Sequence, residues 1–126
     1  MIMIETGLTY TATTKVTQEK SALAMGSGNL MVFATPALVA LMENAAMMAV
    51  ASSLPESSTT VGGAINIQHT RPSGMGQEVS ATARLVAVDG RKLSFELVAH
   101  DFSGVIGEGT HVRFIVDAER FMAKVK

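Results

Sequence analysis

Hydrophobic and polar residues alternate with a period of two through most of the second half of the chain, while one stretch before it shows no alternation at all. The uniform stretch is "FATPALVALMENAAMMAVASSL", Phe33 to Leu54, apolar on every helical face apart from a few positions. Thr35 is placed to cap a helix there, Pro36 suits its first turn because its φ is preset and its missing N–H is not needed, and Leu54-Pro55 closes it. Ahead of it, Thr9 to Thr17 ("TYTATTKVT") has the composition of a strand with one wet face. The "MGSGNL" interruption reads as a flexible connection into the helix.

Beyond a polar turn, "ESSTT", four further strands are expected. Gly62 to Arg71 turns Ile65, Ile67 and His69 to one face, and Val79 to Val88 turns Val79, Ala81, Ala83, Leu85 and Ala87 to one face. Asp89-Gly90 predicts a hairpin, and Arg91 to His100 returns with Leu93, Phe95, Leu97 and Ala99 inward. Ser103-Gly104 makes a second turn into "VIGEGTHVRFIVD", whose glycines predict a bulge or a close backbone approach. His100 and His111 fall on the more polar sides of their strands and read as surface or interface residues. One strand, one long helix and a meander of four strands make an α+β pattern. A helix apolar all round needs a sheet that curls about it or a second copy to cover it, which favours a dimer.

Length and composition narrow this further. The 126 residues suit one domain, 1–126, and 48% apolar against 17% charged residues is a balance that suggests a surface covered by another subunit. A net charge of −1 without runs of like sign excludes the electrostatic footprint of a nucleic-acid binder. Without cysteine there is no disulfide framework, thiolate zinc site or cysteine nucleophile, and three scattered histidines form no metal-ligand motif. "MIMIETG" lacks the pattern of a signal peptide, so a cytoplasmic protein is expected. Pro36 to Leu54 is long enough to approach a membrane span, but Pro36, Glu43, Asn44, Ser52 and Ser53 argue against one, Glu43 alone costing about 2.5 to 3.5 kcal/mol near the bilayer centre. "GSGNLM" and "GVIGEG" both lack the strand-to-helix context of a nucleotide loop.

Glu43 is the only charged residue between Ser21 and Pro55. Natural interiors rarely keep a lone carboxylate, so its presence points to function and calls for a cationic or hydrogen-bonding partner, for which His69 is the candidate. The four segments "FATPALVALMENAA", "VGGAINIQHTRPSGMG", "VDGRKLSFELVAHD" and "IGEGTHVRFIVDAERFMAKV", in that order and spacing, resemble the hotdog-fold thioesterases of the fluoroacetyl-CoA thioesterase-like family over roughly residues 7 to 126. The resemblance implies an antiparallel sheet of about five strands wrapped around one long central helix, with two subunits joined edge to edge and sites at their interface. It also implies that Thr35, Glu43 and His69 match the family's catalytic threonine, glutamate and histidine, that Gly62 lies near the acyl carbonyl, and that Arg113 matches a basic residue of the last strand.

The expected activity is hydrolysis of a short-chain acyl-CoA thioester to the free acid and coenzyme A, with Glu43 as nucleophile or general base and no cofactor beyond the coenzyme A of the substrate. Thr35 or the main chain at Gly62 and Gly63 would stabilise the oxyanion. Relatives selective for fluoroacetyl-CoA carry extra phenylalanines before the helix, whereas this chain has only Phe33 beside it, which points to a broader or different short-chain acyl group. Thr35 and Glu43 lie eight residues apart, about 12 Å along an ideal helix, so a site that uses both takes Thr35 from the partner subunit. Two other functions compete: a hydratase, disfavoured because the helix has no paired aspartate and histidine, and a non-catalytic acyl-CoA-binding dimer with the same cavity.

Overall fold

The computed structural model describes residues 4–125. Its elements run β1 (Thr9–Lys15), a single 3-10 turn (Gln18–Lys20), α1 (Ala22–Met25), α2 (Thr35–Ala51), β2 (Ser58–His69), β3 (Glu78–Asp89), β4 (Lys92–Asp101), β5 (Gly104–Asp117) and α3 (Ala118–Ala123). The five strands form one sheet in the order β1-β3-β4-β5-β2, every neighbouring pair antiparallel. This is the α+β arrangement expected, and it leaves β1 and β2 as the edges. Among the described residues no helix is long and apolar enough to cross a membrane.

Small side chains set how the layers meet. Ala37, Ala45, Ala46 and Ala49 are buried on α2 together with Leu38, Met42 and Val50, so the helix backbone approaches the sheet closely. On the opposing side Gly107 extends that approach, since a Cβ there would sit 3.0 Å from both Leu38 Cδ2 and the Gln68 carbonyl oxygen. The expected inward residues of β4, Leu93, Phe95, Leu97 and Ala99, are all buried, as are Val79, Ala81, Ala83 and Leu85 of β3. Ala87 departs from expectation and is exposed, because the β3–β4 register shifts between Leu85 and Ala87 and a bulge carries the following residues off the inner face.

Three boundaries also differ. The cap of α2 is Ala34, without a side-chain hydrogen bond, so Thr35 is the first helical residue and its hydroxyl is free for other work. The helix stops at Ala51 rather than Leu54, and β2 begins at Ser58 within the expected turn, because Ser58 to Val61 pair with Phe114 to Asp117. The glycine-serine segment is tied down: Ser21 caps α1 by accepting from the Ala24 amide, Gly26 ends it at φ +73°, and the Phe33 amide donates to the Ser73 carbonyl at 2.9 Å. The sheet covers only one side of α2. Ala40, Asn44, Met48 and Ala51 remain exposed on this chain.

Candidate active site

Two groups of polar side chains lie on the inner side of the sheet, separated by two turns of α2. The first is at the start of the helix. Thr35, released from capping, shares a 2.8 Å hydrogen bond between its hydroxyl and His69 Nδ1 at the end of β2. His69 Nε2 is buried and has no partner among the described residues. Burial lowers the His69 pKa from its ordinary value, partly opposed by the Arg71 main chain, so the ring is neutral at neutral pH. Phe33, Thr35, His69, Arg71 and Pro72 help line a pocket of about 270 Å³. Phe33 itself is buried and belongs both to the lining of this pocket and to the core.

The second group surrounds Gly62 on β2. A Cβ at that position would lie 3.2 Å from Glu43 Oε2, 3.5 Å from His111 Cε1 and 3.6 Å from Arg113 Nη1, so these three side chains converge on the one residue that has no side chain. Arg113 is only 7% exposed and is clamped by β2 and by its own strand: its Nε donates to Thr60 Oγ1 at 2.8 Å, Nη2 to the Thr60 carbonyl at 2.9 Å, and Nη1 to His111 Nε2 at 3.2 Å. Burial lowers the Arg113 pKa and the Glu43 charge opposes that shift. The cation facing Glu43 in this chain is therefore Arg113, whereas the expected partner, His69, is bonded to Thr35. Arg113 lies inside the fold and not at the surface.

Gly63 has a different surrounding from Gly62. It has no partner in register on β5, because the β2–β5 ladder shifts between Gly62 and Ala64, and a Cβ on it would run into the Phe114 ring.

His111 corrects the sequence reading. It is 2% exposed, not a surface residue, and its Nδ1 lies 2.7 Å from the Ala64 carbonyl oxygen. On β5 the apolar Val112 and Phe114 occupy the outer face, Phe114 being 39% exposed, while His111, Arg113 and Ile115 point inward. The available signal was parity: Gly107 and Gly109, where strand or helix comes close, fall on the same face as His111 and Arg113. His100 is exposed as expected. Among the described residues no group of three or more His, Cys, Asp or Glu side chains is placed to hold a metal ion.

The model of the family described as FlK, fluoroacetyl-CoA-specific thioesterase, matches residues 16–119. The chain belongs to this family. Across it, the fluoroacetyl-CoA thioesterase of Streptantibioticus cattleyicolor is 43% identical over 95 residues, which cover 75% of this chain and 68% of that protein. A solved structure of the fluoroacetyl-CoA thioesterase FlK superposes with a TM-score of 0.90 at 35% identity, covering 98% of this chain and 96% of that one. A thioesterase-superfamily protein of Thermus thermophilus shares the fold alone, with a TM-score of 0.90 at 24% identity over 99% and 93% of the two chains. The curled five-stranded sheet about one helix is thus the hotdog fold, and this member of the fluoroacetyl-CoA-specific thioesterase family is a thioester hydrolase.

Proposed function

We propose that the protein hydrolyses short-chain acyl-CoA thioesters to the free acid and coenzyme A, acting as a homodimer with Glu43 as the reacting carboxylate. The observation that carries this reading is that the Glu43 carboxylate and the Arg113 guanidinium converge on Gly62, where a missing side chain leaves room for a thioester carbonyl. An FlK variant has been solved with acetyl-CoA, which supports a small acyl-CoA as the substrate class. The absence of further phenylalanines next to Phe33 supports an acyl group other than fluoroacetyl.

In the reaction the thioester carbon gains one oxygen and loses the sulfur. Either Glu43 removes a proton from water as that water adds to the carbonyl, or Glu43 adds directly and water then cleaves the resulting anhydride. Both routes place negative charge on the carbonyl oxygen. The donor for that charge is the main chain at Gly62 and Gly63, where the bulge leaves Gly63 without a partner in register. The departing coenzyme A sulfur takes a proton as the C–S bond breaks.

The Thr35–His69 pair completes the site from a second copy. Eight residues of helix, about 12 Å, separate Thr35 from Glu43 in one chain, and the free edge of β2 beside the uncovered side of α2 is where another subunit would join. His69 Nε2, buried without a partner, is then available to substrate or to the proton that leaves with the thiol. Thiol release from a panel of acyl-CoAs, compared between wild type and Glu43→Gln, tests the proposal. Loss of turnover in Glu43→Gln is expected; undiminished turnover refutes the role of Glu43, and no turnover by the wild type with any substrate favours a binding dimer.

A further inference from the structure

We propose that His111 is a positioning residue: held as the neutral Nδ1–H tautomer, it fixes the Arg113 guanidinium beside Glu43. This deepens the reading of Glu43 as the reacting group and rests on it. The tautomer follows from its two neighbours. The Ala64 carbonyl, 2.7 Å from Nδ1, only accepts, so Nδ1 carries the hydrogen; the Arg113 Nη1, 3.2 Å from Nε2, only donates, so Nε2 presents its lone pair. Both constraints are met by one neutral ring, and a second proton would set an N–H against a guanidinium.

The remaining nitrogens of Arg113 are held by Thr60, so His111 supplies the third point of the clamp. The chain of contacts starts at Ala64, next to the bulge at Gly63, and ends at Glu43 across Gly62. His111 thereby couples the strand distortion that shapes the site to the cation that faces the carboxylate. Groups from α2, β2, β4 and β5 lie around the ring. Glu43 from α2 and Arg113 from β5 carry charge, Thr60, Gly62 and Ala64 come from β2, and β4 contributes the Phe95 ring at 6.2 Å between centroids. Burial and the Arg113 charge lower the pKa of His111, opposed by the Ala64 carbonyl and by Glu43.

Two substitutions separate the two hydrogen bonds. The amide of Asn reaches the place of Nδ1 and leaves nothing at Nε2, whereas Gln extends an acceptor oxygen to the place of Nε2. We expect His111→Asn to lower kcat roughly tenfold with KM within about twofold, the loss of one bond to a charged donor. His111→Gln restores kcat to within about threefold of wild type. Its acid limb is also expected to lose the part that His111 contributes below pH 6.5. Equal defects in the two variants, or a defect confined to KM, overturn the proposal.

Long-range ¹H–¹⁵N spectra of the wild type, with the His111 signals assigned by their loss in His111→Gln, provide a readout that needs neither turnover nor a folded Asn variant. A hydrogen on Nδ1 and a lone pair on Nε2 at neutral pH, with the Nε2 signal moved by Arg113→Met, are expected. An Nε2–H tautomer, or a ring charged at neutral pH, overturns it. If no thioester is turned over but the spectra are as expected, the activity assignment fails while the His111–Arg113 clamp stands.

Discussion

Replacing Gly62 with alanine separates the site from the fold. Gly62 lies in β2 opposite Arg113 and is not among the glycines with positive φ, so alanine adopts its backbone conformation without strain. The three atoms nearest the added methyl all belong to side chains: Glu43 Oε2 at 3.2 Å, His111 Cε1 at 3.5 Å and Arg113 Nη1 at 3.6 Å. Only the first is tighter than ordinary contact, so the Glu43 carboxylate withdraws by a few tenths of an ångström. If 1 Å of misplacement costs about a hundredfold, that displacement costs roughly tenfold once the methyl also takes space from the carbonyl. Stability moves the other way, since alanine restricts the unfolded chain and contributes about 0.4 to 1 kcal/mol. Steady-state thiol release and urea denaturation on one preparation measure both quantities. A tenfold fall in kcat with an unchanged or raised urea midpoint is expected. Unchanged kcat would refute the placement of the reacting carbonyl at Gly62, and a matching loss of stability would show that the clash passes into the fold.

Thr35→Val keeps the shape of the side chain and removes the 2.8 Å bond to His69; kcat should fall by roughly tenfold or more, with thermal stability within about 0.5 kcal/mol, measured by thiol release and melting. Asp101 is buried and accepts from the Ser73 hydroxyl and the Ser103 amide, both at 2.7 Å, pinning the segment after β2 to the β4–β5 turn; Asp101→Ala should cost about 1 to 3 kcal/mol in urea denaturation. Burial works to raise the Asp101 pKa, but the hydrogen bonds of Ser73 and Ser103 and the Arg71 charge outweigh it and the net shift is downward, so its contribution is present above pH 3.8 and is lost as the pH falls through its lower folded value. His69 and His111 act in a higher window: both folded values lie below 6.5, so the unfolded chain binds protons first, and stability should be whole above about pH 6.5 and decline as the pH drops below it, which urea titrations at pH 7.5 and near 5.5 would detect.

The sequence showed the framework more fully than the site. On β4 and the first half of β3 alternation alone identified every buried apolar residue, because those strands are central and one face meets the helix. Alternation failed at Ala87, where a bulge interrupts the period, and on the stretch of β5 where His111 and Arg113 face inward while Val112 and Phe114 face outward. Hydrophobicity assigns faces only when the interior is apolar, and the interior at His111 and Arg113 is a hydrogen-bonded cluster. Thr35, Glu43 and His69 were identifiable as residues, but their pairing was not. A helix position names its neighbours along the helix, while the bond between Thr35 and His69, or the convergence of Glu43 and Arg113 on Gly62, depends on how β2 and β5 cross beneath it.

The close seating of α2 over Gly107 has a consequence for how such a site diversifies. Leu38 and Met42 rest on that glycine and lie between Thr35 and Glu43 along the helix, so bulk added at residue 107 acts as a shim under a rigid rod. It would lift the threonine and the carboxylate together while touching neither. The clearance over the sheet is thus adjustable from beneath, by a residue buried under the helix.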